Sequence, residues 1–489
     1  MRDECEVERV NPFDWHSAFP DVFRQGGFDA VIGNPPYIRI QAMKEWAPKE
    51  VDFYNNRYLS ASKGNYDIYV VFVERGLFLL NPNGRLGFIL PHKFFNAQYG
   101  ESLRSIISKN LSRIVNFGYQ QVFENATTYT CLMFLMKNQP TSFEYINVEN
   151  IEEWKSTSYD KFSIIETKKL GNEEWVFGEK NNIDLFTKLD KFPIKLSDVT
   201  LRIFQGLKTS ADKIFIVDEL ESSGNNVRVF SKEKSKEYIL EKELLRPLIK
   251  GGNSKRYSLK STSKLLIFPY WVKNEKEFGL ISKQDMKLKY PKAWQYLLEN
   301  KPYLENRENG RMVGDKWYGY IYPKNFYVLS LPKIFTPDLA YQSSFSIDEN
   351  GHYLFTGGAA GGYGIIQKPE ISRSYLLGIL NSKLLEWFLH NFSTMMRGGW
   401  YSYESRYIHK LPIYLIDFSN PAEVKQHDHM VTLVERMLEL HKRTPQTPHE
   451  KERLEREIAS TDAQIDRLVY ELYGLTEEEI RIVEGKTQN

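Results

Sequence analysis

Phe28-Asp29-Ala30-Val31-Ile32-Gly33-Asn34-Pro35-Pro36-Tyr37 decides how this chain is read. Its first six residues form an apolar run ending at a glycine, the pattern of a buried parallel strand. A polar amide, two prolines and an aromatic then stand at the carboxyl end of that strand, where open α/β sheets keep their ligand sites. Asn and Pro are also common turn formers, so the last four residues alone fit an ordinary strand-to-loop turn. The apolar strand in front of them favours a site.

Each residue type suits chemistry on a planar amine. The exocyclic N6 of adenine is a poor nucleophile because its lone pair is delocalised into the ring. The side-chain oxygen of Asn34 and the backbone carbonyl of Pro35 can accept both N6 hydrogens and localise that lone pair. Proline at 35 drives Asn34 to an extended backbone, and both Pro35 and Pro36 have a fixed φ and no N–H. Tyr37 offers a ring face on which a base taken out of its duplex can stack.

The segments that follow keep an α/β order. Asp67 to Leu80 has helical apolar spacing, and Asn81-Pro82-Asn83-Gly84 turns the chain into a strand from Arg85 to Pro91. A helix runs from Leu103 to Leu111, and Arg113–Phe117 and Thr130–Met136 read as further strands. With these segments, residues 28–37 resemble the catalytic motif of amino-methyltransferases that use S-adenosylmethionine. The chain resembles the TaqI-like N6-adenine DNA methyltransferases of type II restriction-modification systems.

That resemblance implies roles. Asn34, Pro35, Pro36 and Tyr37 become the catalytic residues, and Phe123, within Val122–Tyr129, becomes a second aromatic wall facing the base across from Tyr37. S-adenosylmethionine becomes the cofactor, with Asp14 as acceptor for its adenine and Trp15 as cover. Read from the residues alone, Phe123 fits a core aromatic, and Asp14 a surface acid beside a packed tryptophan.

Upstream the chain departs from the family. Thirty-three residues precede Asn34, and they contain no Gly-x-Gly. That is too short for a strand, a Gly-rich turn, a helix and an acidic ribose partner. The expectation is the C-terminal part of a methyltransferase, as a truncation, a fragment or one half of a split protein. The cluster Gly357, Gly358, Gly361, Gly362 and Gly364 follows no βαβ pattern and reads as a flexible loop.

Composition narrows the class. At 489 residues, two or three domains are expected. Two cysteines, Cys5 and Cys131, exclude a disulfide framework and a zinc site, and no metal is expected. Neither follows a proline, so the Pro-Cys nucleophile of 5-methylcytosine enzymes is missing. No apolar run reaches 18 residues and no signal peptide is present, which points to a cytoplasmic protein without membrane contact. A net charge of +2 requires DNA binding to rest on local basic patches.

Such patches lie beyond residue 195. Lys208 sits in a turn between strand signals, and Lys250, Lys255 and Arg256 lie on a Gly/Asn/Ser loop suited to phosphate contact. Arg397 stands in Met395-Met396-Arg397-Gly398-Gly399-Trp400-Tyr401, where a cation and aromatics share a flexible segment. Any one of these cations also fits a solvated surface charge. The order of these pieces resembles the target-recognition domain attached to the same family.

The expected architecture is α/β: a partial Rossmann-like methyltransferase sheet, then a mixed α/β target-recognition domain and a C-terminal helical segment. Boundaries are drawn at 1–140 for the catalytic part, 141–195 for linker and peripheral elements, 196–420 for recognition and 421–489 for a helix pair. Double-stranded DNA is the expected partner, with an upstream methyltransferase half or a nuclease domain as a further one. Two other readings stand: a non-catalytic DNA-specificity module, and a protein-glutamine methyltransferase, whose substrate is also a planar amide. The length beyond residue 196 favours nucleic acid.

Overall fold

The computed structural model describes residues 13–123, 128–156, 162–177, 180–396 and 398–485. It divides into two compact units, Met1–Asp184 with Thr394–Gly398, and Leu185–Ser393 with Gly399–Asn489.

The first unit is built on a sheet of β1 (Phe28–Gly33), β2 (Leu80–Pro91), β3 (Leu111–Asn116), β4 (Thr130–Met136), β5 (Ser142–Asn147) and β6 (Ser163–Glu166), in the order β1-β2-β4-β3-β5-β6. β1 runs parallel to β2, as its apolar run predicts. Gly27, at φ +122°, turns the chain into β1 where a side chain would meet the Leu79 carbonyl. Val31, Leu86 and Leu135 lie in one register row and face the helix Tyr69–Leu79. That helix comes close because Gly76 has no Cβ; one placed there would stand 2.6 Å from Leu86.

The opposite face corrects the expectation of a buried strand. β1 is an edge strand, and Ile32 is 87 % exposed. Its row continues through Gly87 to Phe134, itself 36 % exposed, with no cover among the described residues. The expected Asn81–Gly84 turn is absorbed into β2, where the pairing register jumps from Phe28↔Leu80 to Ala30↔Arg85. β5 and β6 were not anticipated: their residues fall partly in a polar stretch. Trp175 and Phe177, still further along, pack into the same core.

The second unit contains a sheet of β7 (Thr200–Gln205), β13 (Lys333–Pro337), β14 (Ser346–Asp348) and β16 (Gly362–Gln367), in the order β14-β13-β16-β7. A six-stranded sheet joins β8 (Ile216–Ser223), β9 (Asn226–Ser231), β10 (Lys236–Glu241), β11 (Leu245–Ile249), β12 (Lys264–Ile267) and β15 (Leu354–Phe355). One apolar core lies under both. Gly362 and Gly364 are strand residues of β16, which corrects the reading of that glycine cluster as loop throughout; only residues 357–361 connect. The tail forms the expected antiparallel helix pair, Pro421–Lys442 and Pro448–Leu472. Pro448 is the first helical residue after the Thr447 cap, so the proline that breaks the apolar pattern starts the second helix. A third helix, Glu477–Val483, follows.

Candidate functional site

In the first unit β1, β2, β3 and β5 all point their carboxyl ends the same way, and β4 starts there. The motif after β1, the segment after β2 and the loop from β3 to β4 therefore gather at one end of the sheet. Asn34 is exposed, Pro35 buried and Pro36 exposed. Neither the Asn34 carboxamide nor the Pro35 carbonyl has a hydrogen-bond partner among the described residues. Two adjacent acceptors thus stand free at the end of a strand.

Tyr37 is anchored. Its hydroxyl donates to the Ile89 carbonyl of β2 at 3.0 Å, and burial pushes its pKa up to about 12. The phenol therefore stays protonated, its position fixed by backbone and its half-buried ring packed against the core cluster. Phe123 lies half-buried on the β3–β4 loop, at the same end of the sheet as Tyr37. The residues just after it, 124–127, lie outside those described.

Sequence reasoning missed His92, which follows β2 immediately. Its ring stacks between Phe95 and Tyr129, with centroids 5.8 and 6.3 Å away. Burial pushes its imidazole down to about 4, so it is neutral at pH 7. The segment carrying it is braced by Arg104, whose buried guanidinium donates to the carbonyls of Phe94 and Ala97 at 2.6 and 2.9 Å. A proline-to-aromatic segment after a strand was the available signal, but a lone histidine there does not single itself out.

The cofactor residues fare differently. The Asp14 carboxylate caps a four-residue helix, accepting from His16 N at 3.0 Å and Ser17 Oγ at 2.6 Å. The hydrogen bond from Ser17 holds its pKa below the usual carboxylate value. Trp15 is packed among Phe13, Phe19 and Phe28. Asp14 accepts within its own helix cap and no Gly-rich turn precedes Asn34, so the described residues do not by themselves make up a cradle for S-adenosylmethionine.

Of the cations proposed for DNA, Lys208 and Lys255 are exposed. Lys250 bonds Asp212 at 3.0 Å and Thr356 at 3.1 Å, which ties two loops together. Arg256 is no surface cation. Its guanidinium is only 15 % exposed and sits among Asp462, Asp466 and Glu386, the first at 2.9 Å, which fastens its loop to the C-terminal helix pair. The alternation of cations with Gly, Asn and Ser could not show that three acids over 120 residues away in sequence converge there. Arg397 lies outside the described residues.

At one end of the four-stranded sheet, Pro337 pairs with Gly362 and Tyr363 with Gln205, so the loops after β7 and β13 and before β16 meet. Asp338 lies there, 7 % exposed, and its Oδ1 has no hydrogen-bond partner among the described residues. Burial, with Glu404 beside it, pushes its pKa up to about 6 against the pull of Arg406. A carboxyl raised in the folded state binds more protons folded than unfolded between its ordinary value and about 6. Stability from this group therefore falls as pH rises through that window and then levels. Asp338→Asn is expected to raise stability at pH 8 by on the order of 1 kcal/mol and to do little at pH 4. Denaturation midpoints at the two pH values check it; equal effects at both would refute the assignment.

Among the described residues no helix is long and apolar enough to cross a membrane, and no cluster of potential ligands could hold a metal ion.

Residues 2–123 match the Eco57I restriction-modification methylase family, and residues 246–413 match the TaqI-like C-terminal specificity domain. The chain is 30 % identical to the type II restriction enzyme and methyltransferase RM.Eco57I of Escherichia coli, over 99 % of this chain and 49 % of that protein. It is 23 % identical to the type II methyltransferase M.BstVI of Geobacillus stearothermophilus, over 93 % of this chain and 75 % of the relative. The chain thus spans about half the length of the E. coli relative. A solved structure of the type IIL restriction-modification enzyme MmeI in complex with DNA shares the fold, with a TM-score of 0.59 and 13 % identity, covering 96 % of this chain and 57 % of that one. The chain thus resembles an Eco57I-type restriction-modification methylase over residues 2–123 and a TaqI-like C-terminal specificity domain over residues 246–413.

Proposed function

We propose that this chain is the base-binding and sequence-reading portion of a site-specific DNA methyltransferase that modifies N6 of an extruded adenine within a restriction-modification system, in the cytoplasm. The pair of free acceptors, Asn34 Oδ1 and the Pro35 carbonyl, carries the reading. Asn34 and Pro35 accept the two N6 hydrogens, Tyr37 covers one face of the base, and Phe123 covers the other. With both hydrogens held, the nitrogen lone pair projects out of the ring plane towards the donor, and positioning supplies most of the acceleration. S-adenosylmethionine supplies the methyl group in this class of reaction.

The exposed edge of β1 favours a second polypeptide segment as the holder of that donor. Parallel strands are normally covered on both faces, whereas among the described residues nothing pairs with the outer edge of β1 or covers Ile32. A nuclease joined to the same assembly is consistent with the name of the E. coli relative. A pure specificity module is the second reading, supported by the lack of a Gly-rich cofactor turn among the described residues; it predicts DNA selection without any role for Asn34. A glutamine-directed enzyme has no use for a DNA specificity domain.

Enrichment from a pool of randomised duplexes tests the DNA reading. The purified chain is expected to enrich one defined sequence containing an adenine. Recovery of an unselected pool would overturn it.

A further inference from the structure

Two cations stand beside the Asn34–Tyr37 motif without an ion pair among the described residues. Arg39 comes two residues after Tyr37 and is exposed. Its backbone bridges to Asp67 in antiparallel register, held on either side by Ile40 N to Tyr66 O at 3.0 Å and Ile68 N to Ile38 O at 2.9 Å. Lys93 is also exposed and lies two residues past the end of β2, so it occupies the same end of the sheet. Both lie near enough to the half-buried Asp67 to draw its carboxyl pKa down against the burial that raises it. Neither comes within ion-pair distance of an acid among the described residues, whereas Arg113 and Lys168 of the same unit pair with Glu144 and Glu166.

The arrangement fits a polyanion. A base that enters the Asn34 pocket brings its sugar and the two adjoining phosphates with it, and these must rest at the pocket mouth. Holding them offsets part of the cost of unstacking the base. The bridge to Asp67 fixes the backbone at Arg39, and a single 3₁₀ turn directly after β2 carries Lys93, so both exposed side chains start from ordered backbone at this end of the sheet.

We propose that Arg39 and Lys93 bind the backbone phosphates flanking the extruded nucleotide. This rests on the reading of Asn34–Tyr37 as a base pocket, and it gives phosphate binding to two residues of the first unit that no recognition element supplies.

The test starts from the duplex that the wild-type chain enriches from a random pool, and measures how its affinity falls with salt. Arg39→Gln and Lys93→Gln are each expected to flatten the slope of log K against log salt by about 0.9, and the double variant by about 1.8, because each lost phosphate contact releases fewer counterions. The enriched sequence should stay the same, since phosphates carry no base information. Lys168→Gln, at the opposite end of the sheet, should leave the slope unchanged. A wild-type slope in the double variant would overturn the inference while leaving the base pocket standing. Failure of the wild-type chain to enrich any duplex would instead remove the DNA reading, and this inference with it.

Discussion

Asn34→Ala is expected to lower methyl transfer by on the order of 10³-fold while leaving DNA affinity unchanged. The carboxamide is exposed, unpaired among the described residues, and sits beyond the last strand residue, so its loss removes no packing. What is lost is one of two acceptors aimed at N6, and the lone pair of the base relaxes back into its ring. A factor of this size corresponds to about 4 kcal/mol of transition-state stabilisation. Asn34→Asp keeps an acceptor in the same place and should fall between the two. Single-turnover rates with bound DNA separate this from weakened binding; an Asn34→Ala rate within a few-fold of wild type would remove Asn34 from catalysis.

Asp348→Ala is expected to cost about 3–5 kcal/mol of stability in the second unit. Lys333 and Asp348 are paired at 2.6 Å with side chains 0 % and 3 % exposed. Lys333 also donates to the Leu329 carbonyl, and Asp348 accepts from the backbone of His352 and Tyr353. Burial already draws the Lys333 pKa down, and Asp348 is the charge that opposes this. Without Asp348 an ammonium is left in an apolar interior and two backbone donors lose their acceptor. Urea unfolding of the variant should show a midpoint far below wild type; an unchanged midpoint would mean that water reaches the pair.

The sequence made the first sheet legible where hydrophobic period and turn chemistry agree. The strand ending at Gly33, the helix into Leu79 and the strand from Thr130 all stand where their apolar spacing puts them. What it could not show was where each strand lies in the sheet. An apolar run such as Phe28–Gly33 looks the same in the middle of a sheet as at an edge, so the exposure of Ile32 appears only in three dimensions. Non-local electrostatics were equally hidden: nothing near Arg256 announces Asp462 or Asp466. The acceptor pair was legible because both groups are neighbours in the chain. Arg39, Lys93 and His92 were not, since their meaning depends on β2 ending beside β1.

The most direct test measures tritiated methyl transfer from S-adenosylmethionine to the enriched duplex. The part of the E. coli relative that this chain does not cover is supplied in trans, with this chain as wild type or Asn34→Ala. The account predicts label on N6 of adenine with the wild-type chain and almost none with the variant. Label on cytosine or on protein glutamine, or equal label with Asn34→Ala, would contradict it.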